Sequence, residues 1–281
     1  MIKKSIFCFL ILAGLHLCFV IFKPSMGMAT HQWQDNVIKA QQFLYAEKSD
    51  IVMVGTSLSA RIIGDSIPYV KSVAFGGCAV EDGLKLVLSK DDVPKYILVE
   101  TNLFLREGNP ELVKKNTKGV VPAIRGWIPS LREQYEPICL FASMMMSSTG
   151  INAQAGASKV NMELLNESIN RMIEEDEIIP YNEAETRINE IKKLMDELSG
   201  KGVKFVFFEM PVNERVLHLN KFEQPKTMVR SEFPEDKYLY LPSDTTKYLT
   251  TDGEHLDFEG QKRFSHYFKK NIEEYVLNIV E

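Results

Sequence analysis

The sequence predicts an α/β fold: a single three-layer domain built on a parallel, doubly wound sheet and preceded by one N-terminal transmembrane helix. Three observations carry that expectation. Short apolar runs recur at Ile51–Val54, Ser72–Phe75, Tyr96–Glu100 and Val203–Phe208, each about the length of a buried strand. Helical patterns lie between them, at Val80–Leu88 and Glu183–Leu198, and strands alternating with helices fold as crossover units with a parallel sheet. Ahead of these stands an uncharged apolar run from Ser5 to Phe22, with Lys3 and Lys4 before it and Lys23 and Pro24 after it.

That run reaches about 27 Å as a helix, enough for a thin bilayer. It is longer than the usual core of a signal peptide, so residues 1–23 are expected to be an uncleaved anchor; a signal peptide cut after the small residues around Gly27-Met28-Ala29 is the alternative. The lysines before the span favour a cytoplasmic N-terminus and an exported remainder. His16 is a weakly polar residue of the kind such spans tolerate. After a linker at residues 24–35, a domain at 36–281 is expected to begin with a helix in His31–Glu47 and to continue into the first strand, which runs into Gly55. Ser199-Gly200-Lys201-Gly202 reads as a helix C-cap and turn. Tyr238–Leu241 is a candidate fifth strand and Phe258–Val280 the closing helix. Leu105–Pro180 breaks the rhythm with Pro, Gly, the run Met144-Met145-Met146 and a Ser/Ala/Gly-rich stretch over Ser147–Ser158, and is expected to be an insertion above the sheet at about 105–180. Arg125, Trp127 and Arg132 within it are candidate substrate contacts or surface packing residues.

Composition narrows the function classes. With 281 residues, 45% hydrophobic and 25% charged, the chain is neither disordered nor low in complexity. A net charge of -5, with lysines and arginines scattered, leaves no electrostatic footprint for nucleic acid. The five histidines fall in no metal-ligand spacing and no HExxH or CxxC occurs, so neither a metal nor a cofactor is expected. Cys8 and Cys18 lie in the span; Cys78 and Cys139, in the exported part, read equally as one disulfide or two buried thiols.

The chemistry sits at strand ends. Gly55-Thr56-Ser57-Leu58-Ser59 follows the first strand and precedes a helical turn, which puts the Ser57 hydroxyl at the carboxyl edge of a parallel sheet, where open α/β sheets bind ligands. Its backbone N–H would point outward, ready for a developing oxyanion; a simple N-cap is the bland alternative, and Ser59 a less exposed second candidate. Near the other end, Asp252 stands three residues before His255, a spacing from which the carboxylate can reach imidazole Nδ1 and leave Nε2 as a base. A helix cap by Asp252 beside a surface histidine is the structural alternative. The pair Gly76-Gly77 ends the second strand, where an exposed N–H can approach a substrate closely. Asn102 ends the third strand with a side-chain amide able to donate to the same oxyanion. Glu209 ends the fourth and reads as a cleft residue or a solvated carboxylate.

These blocks resemble the SGNH, or GDSL-type, hydrolase superfamily over Ile51–Asn102 and Tyr238–Phe268. Ser57 falls on the family's nucleophile, Gly77 on its oxyanion glycine, Asn102 on the asparagine of its third block, and Asp252 and His255 on its Asp-x-x-His; Gly83 and Gly260 keep family spacings. The first block reads Gly-Thr-Ser-Leu instead of Gly-Asp-Ser-Leu, and the third lacks the glycine before its asparagine and the aspartate after it. The α/β-hydrolase fold fits less well, because Ser59 occupies the place of the last glycine in G-x-S-x-G.

The resemblance implies an SGNH/flavodoxin-like sheet and a serine esterase or O-acyltransferase with Ser57, His255 and Asp252 as its triad. Ser57, Gly77 and Asn102 would form its oxyanion hole. Similar single-span members act on acetyl groups of cell-envelope polysaccharides, sometimes beside a multi-pass membrane acyltransferase, so the expected substrate is an acylated carbohydrate at the cell membrane. A lipid or small-ester hydrolase, and a non-catalytic glycan-binding envelope protein, are the alternatives.

Overall fold

A computed structural model describes residues 2–22, 29–149 and 160–278 of the chain. Lys23, Pro24, Gly27 and Met28, residues 150–158 of the Ser/Ala/Gly-rich stretch, and the expected helix end at Val280 lie outside the described residues. In order the elements are α1 (Ile2–Phe22), α2 (Gln32–Leu44), β1 (Ile51–Gly55), β2 (Val70–Ala74), α3 (Val80–Leu88), β3 (Tyr96–Glu100), α4 (Pro110–Thr117), α5 (Val120–Arg125), α6 (Pro137–Thr149), α7 (Met162–Glu174), α8 (Tyr181–Gly200), β4 (Lys204–Phe208), α9 (Asn220–Glu232), β5 (Leu239–Tyr240) and α10 (Phe258–Ile272). By internal contacts they divide into two compact units, Met1–Tyr45 with Lys114–Gly156, and Ala46–Val113 with Ala157–Glu281.

The second unit carries a five-stranded sheet in the order β2-β1-β3-β4-β5. Every pairing is parallel. The chain leaves β1 for β2 on one side and returns to β3 on the other, so the carboxyl ends of β1 and β3 flank the point where the winding reverses. Central strands buried on both faces need apolar residues at every position, and β1 and β3 are buried throughout. On one face Met53, Leu98 and Phe208 join a core with Phe264, Phe268 and Ile272 of α10. The Phe208 and Phe268 rings lie 4.6 Å apart. On the other face α3 approaches so closely that a Cβ at Gly83 would sit 2.8 Å from the Val73 carbonyl oxygen and 2.9 Å from Val54.

Element boundaries shift from the sequence expectation for local reasons. β2 starts two residues earlier than Ser72 and ends at Ala74, before the turn at Gly77. α8 is longer than Glu183–Leu198 and closes as a C-terminal cap, with Gly202 at φ +87° and the Val203 N–H donating to the Leu198 carbonyl at 3.1 Å. The fifth strand keeps two of its four expected residues, at the sheet edge. Beyond Ile272 the helical hydrogen bonding widens into a π-turn over Glu273–Leu277. The segment expected as an insertion is largely helical where it is described: α4, α5, α6 and α7 all fall within 105–180.

The first unit contains α1, which at 21 residues and a mean hydropathy of 2.6 is long and apolar enough to cross a membrane. α2 starts one residue after His31, whose Nδ1 accepts from the Gln34 N–H at 3.2 Å, and stops short of Glu47. Gln41, buried on α2, donates to the Asn116 side chain at 3.1 Å and accepts from the Glu133 N–H at 2.7 Å. Arg125 and Arg132 serve this unit's own structure: Arg125 Nε donates to the Leu131 carbonyl at 3.1 Å, and the Arg132 guanidinium stacks 4.8 Å from the centre of the Tyr45 ring. Cys78 and Cys139 are both buried thiols and form no disulfide.

Gly83→Ala is expected to destabilise the sheet unit by about 1–3 kcal/mol, because backbone oxygen and a β-branched side chain occupy the space its methyl group needs. Denaturant unfolding of the variant against the wild type measures the loss; equal midpoints would show that α3 can retreat without cost.

Candidate active site

The register of the sheet lines up the strand ends that matter. Gly55 of β1 pairs with Ala74 of β2, and Glu100 of β3 pairs with Phe208 of β4. Thr56 to Ser59 emerge from the end of β1 as a tight turn leading into a 3-10 helix, Ser59–Arg61. That turn is organised by one carboxylate. Glu100 is fully buried and accepts four hydrogen bonds, from Thr56 N at 2.9 Å, Thr56 Oγ1 at 2.7 Å, Ser59 N at 3.1 Å and Ser59 Oγ at 2.6 Å. Burying a carboxyl group costs several kcal/mol unless its oxygens are satisfied. Gly55 makes room for it, since a Cβ there would overlap Ser59 Oγ and lie 2.7 Å from Glu100 Oε2. Ser59, the second nucleophile candidate, is thereby buried and committed to Glu100. Ser57 stays half-buried with its hydroxyl directed elsewhere.

Its partner comes from the loop before α10. An isolated antiparallel bridge pairs Thr250 with Leu256, and Thr251 N donates to the His255 carbonyl at 2.8 Å, closing a narrow loop. Inside it Asp252 Oδ1 accepts from the His255 and Glu254 N–H groups at 2.8 and 3.1 Å, a local turn of the kind aspartate favours. Oδ2 meets His255 Nδ1 at 2.7 Å, and His255 Nε2 meets Ser57 Oγ at 3.0 Å. Outside the loop, Ser168 Oγ of α7 donates to the Asp252 carbonyl at 2.9 Å, and Asn213 N donates to the Gly253 carbonyl at 2.9 Å. Gly253 has φ +98°, a conformation that L side chains rarely adopt, and packs against Ile169 and Met172 of α7. The cap of α10 is Asp257, which accepts from the Gly260 N–H at 2.8 Å, so Asp252 is not spent as a helix cap.

Burial alone would raise the Asp252 pKa, but the imidazole and the two backbone N–H groups outweigh it and hold the carboxyl down at about 2. It therefore remains an acceptor for Nδ1–H across the whole neutral range, which leaves Nε2 as the acceptor facing Ser57. Asp252 also feels the positive charge of Arg61.

Three groups were expected to receive an oxyanion. Ser57 N and Gly77 N donate to no protein acceptor among the described residues, and Gly77 sits exposed at φ +72°, a turn conformation open to glycine. Asn102 is different. Its Oδ1 accepts from Met210 N at 2.6 Å and its Nδ2 donates to the Met210 carbonyl at 2.8 Å, so the side chain ties the ends of β3 and β4 together and retains one uncommitted N–H. Glu209 is partly exposed but not free: Lys226 and Arg230 of α9 and Ser243 each reach it at 3.3 Å. Among the described residues no group of three or more His, Cys, Asp and Glu side chains is arranged to hold a metal.

Sequence reasoning passed over two buried carboxylates. Glu100 reads as the last residue of an apolar strand, and its signal was there: a lone acid inside a run that must be buried on both faces. Asp82 is also fully buried; it accepts from Ala79 N at 2.9 Å and from Asn109 N at 2.8 Å, fixing the turn that follows Gly77. Burial raises its pKa against those hydrogen bonds.

The fold and site thus define a parallel α/β protein with a Ser-His-Asp relay at the winding reversal of its sheet. No protein-family model and no curated protein matches the chain.

Two substitutions test the architecture. Glu100→Gln turns an acceptor into an amide that faces N–H and O–H donors, and should cost about 1–3 kcal/mol of stability; an unchanged unfolding midpoint would show that the turn holds itself. Asn102→Ala should lower the unfolding midpoint through loss of both Met210 hydrogen bonds, at about 1 kcal/mol each, and an unchanged midpoint would leave the clamp without energetic weight.

Proposed function

We propose that this chain is a serine-dependent acyl-ester enzyme of the SGNH type, anchored by α1 with its catalytic unit outside the cytoplasm, that transfers or removes O-acyl groups on envelope carbohydrate. The observation that carries this reading is the relay itself: Ser57 Oγ to His255 Nε2 at 3.0 Å, and His255 Nδ1 to Asp252 Oδ2 at 2.7 Å. Residues 198 positions apart have no structural need to meet in this orientation. A glycan-binding module would have no use for a base held against a hydroxyl.

In the proposed reaction Ser57 Oγ attacks the ester carbonyl as its proton passes to His255 Nε2, while Asp252 keeps Nδ1–H in place and stabilises the imidazolium. The tetrahedral oxyanion is received by the N–H groups of Ser57 and Gly77, with the remaining Nδ2–H of Asn102 as third donor. His255 then returns the proton to the leaving alkoxide. A second hydroxyl, from water or sugar, is deprotonated by the same nitrogen and resolves the acyl-enzyme. The choice of carbohydrate rests on the resemblance of the Gly55–Ser59, Gly76–Gly77 and Asp252–His255 blocks and on the span that keeps the unit close to the envelope.

Full-length protein in detergent should hydrolyse p-nitrophenyl acetate, and Ser57→Ala or His255→Ala should each reduce turnover by about a thousandfold or more with circular dichroism unchanged. Given an acetyl donor and envelope oligosaccharides, it should yield acetylated sugar or, from acetylated sugar, acetate, read by mass spectrometry. Wild-type turnover in Ser57→Ala would refute the nucleophile; selective cleavage of long-chain lipid esters would refute the carbohydrate substrate.

A further inference from the structure

We propose that the exposed apolar residues of Val120–Leu131, with those of the outer stripe of α6, insert into the headgroup and upper acyl region of the bilayer that α1 crosses, giving the protein a second, interfacial membrane contact. The proposal rests on the reading of α1 as a membrane span.

The first ground is a concentration of exposed apolar side chains inside a single unit. Val120, Val121, Ile124, Trp127, Ile128 and Leu131 all present large hydrophobic groups to solvent, with Trp127 88% and Val120 77% exposed. On α6, Ile138, Phe141 and Met145 are exposed in turn. Their spacing of three and then four residues puts them on one helical face, the face that a helix of a soluble protein fills with charge. Single exposed hydrophobics need no explanation, but a run of this density marks an interaction surface.

The second ground identifies the partner. α1 packs against the 3-10 turn Pro129–Leu131, which belongs to this same apolar run. Along α1, Val20 is buried and His16, one turn earlier, is half-buried; its other side chains with described surroundings are exposed. Contact with the unit therefore falls near the C-terminal end of the span, at the depth where a crossing helix leaves the hydrocarbon. A surface joined to that end is held at the interface whether or not its own affinity is high. Its composition suits the place. Tryptophan is enriched at the headgroup level, and interfacial segments combine aromatic and aliphatic residues with lysine and arginine. Over Lys114–Thr149 three lysines and two arginines stand against Glu133 and Glu136, a net charge of +3 in a chain of net charge -5; Arg125 is buried and Lys115 pairs with Glu133, so Lys114 and Lys118 are the exposed cations of the segment. Anionic headgroups complement that local excess.

The chain has two tryptophans, Trp33 and Trp127. Full-length Trp33→Phe, reconstituted into vesicles of phosphatidylcholine and phosphatidylglycerol in equal parts, makes Trp127 the only reporter. Its emission should be blue-shifted, and it should be quenched several-fold more strongly by lipids brominated near the headgroup than by lipids brominated near the chain end. If Trp33→Phe folds poorly, the difference between wild type and Trp127→Phe isolates the same signal. Emission typical of water, with iodide quenching intact in vesicles, would overturn the proposal. So would a blue shift without bromolipid quenching but with cross-linking between copies, which would assign the surface to a second copy of this chain. Flotation of the protein with the vesicles reports the anchor separately, so failure of the span and failure of the interfacial contact give different results.

Discussion

A single buried carboxylate holds the turn that carries Ser57 in shape. Glu100 ends β3, yet all its hydrogen bonds reach across to the turn after β1. The parallel pairing of β1 with β3 brings it there, the absent side chain at Gly55 admits it, and the N–H and hydroxyl groups of Thr56 and Ser59 supply what a desolvated carboxyl demands. Ser57, between the two, takes no part in this network. Its hydroxyl is therefore left for His255, and its N–H meets no protein acceptor among the described residues. The turn owes its form to the sheet beneath it and not to the sequence of the loop alone.

The histidine loop is built on a different principle. Asp252 acts locally, capturing two N–H groups of its own turn with one oxygen and the imidazole with the other. Orientation of the ring and folding of the loop are the same event. External struts from Ser168 and Asn213 then fix the loop to the unit, and Gly253 permits the close seat against α7. One half of the site is held by a long-range buried carboxylate and the other by a short-range turn, and they meet at one 3.0 Å contact.

Much of this was legible in the sequence because periodicity and spacing are local properties. The all-parallel α/β sheet, the apolar first helix and the two loops that meet at Ser57 and His255 all follow from runs of a few residues. What stayed hidden depends on register. Glu100 looks like a strand terminus until β1 is laid beside β3, and Asn102 looks like a free amide until Met210 arrives from β4. Glu209 looks unpaired until α9 turns Lys226 and Arg230 toward it. The boundary between the two units was equally hidden, since residues 114–149 join the N-terminal helices only through contacts distant in sequence.

The 198-residue separation of Ser57 from His255 has a consequence for how the protein comes into being. Synthesis proceeds from the N-terminus, so on the proposed reading a growing chain displays its hydroxyl long before its base exists. Loop closure of that size is among the last contacts to form, and it requires β3, β4 and the Asp252 loop to be in place first. On that reading, premature acylation of a half-made polypeptide is avoided through connectivity: the order of manufacture serves as the safety catch.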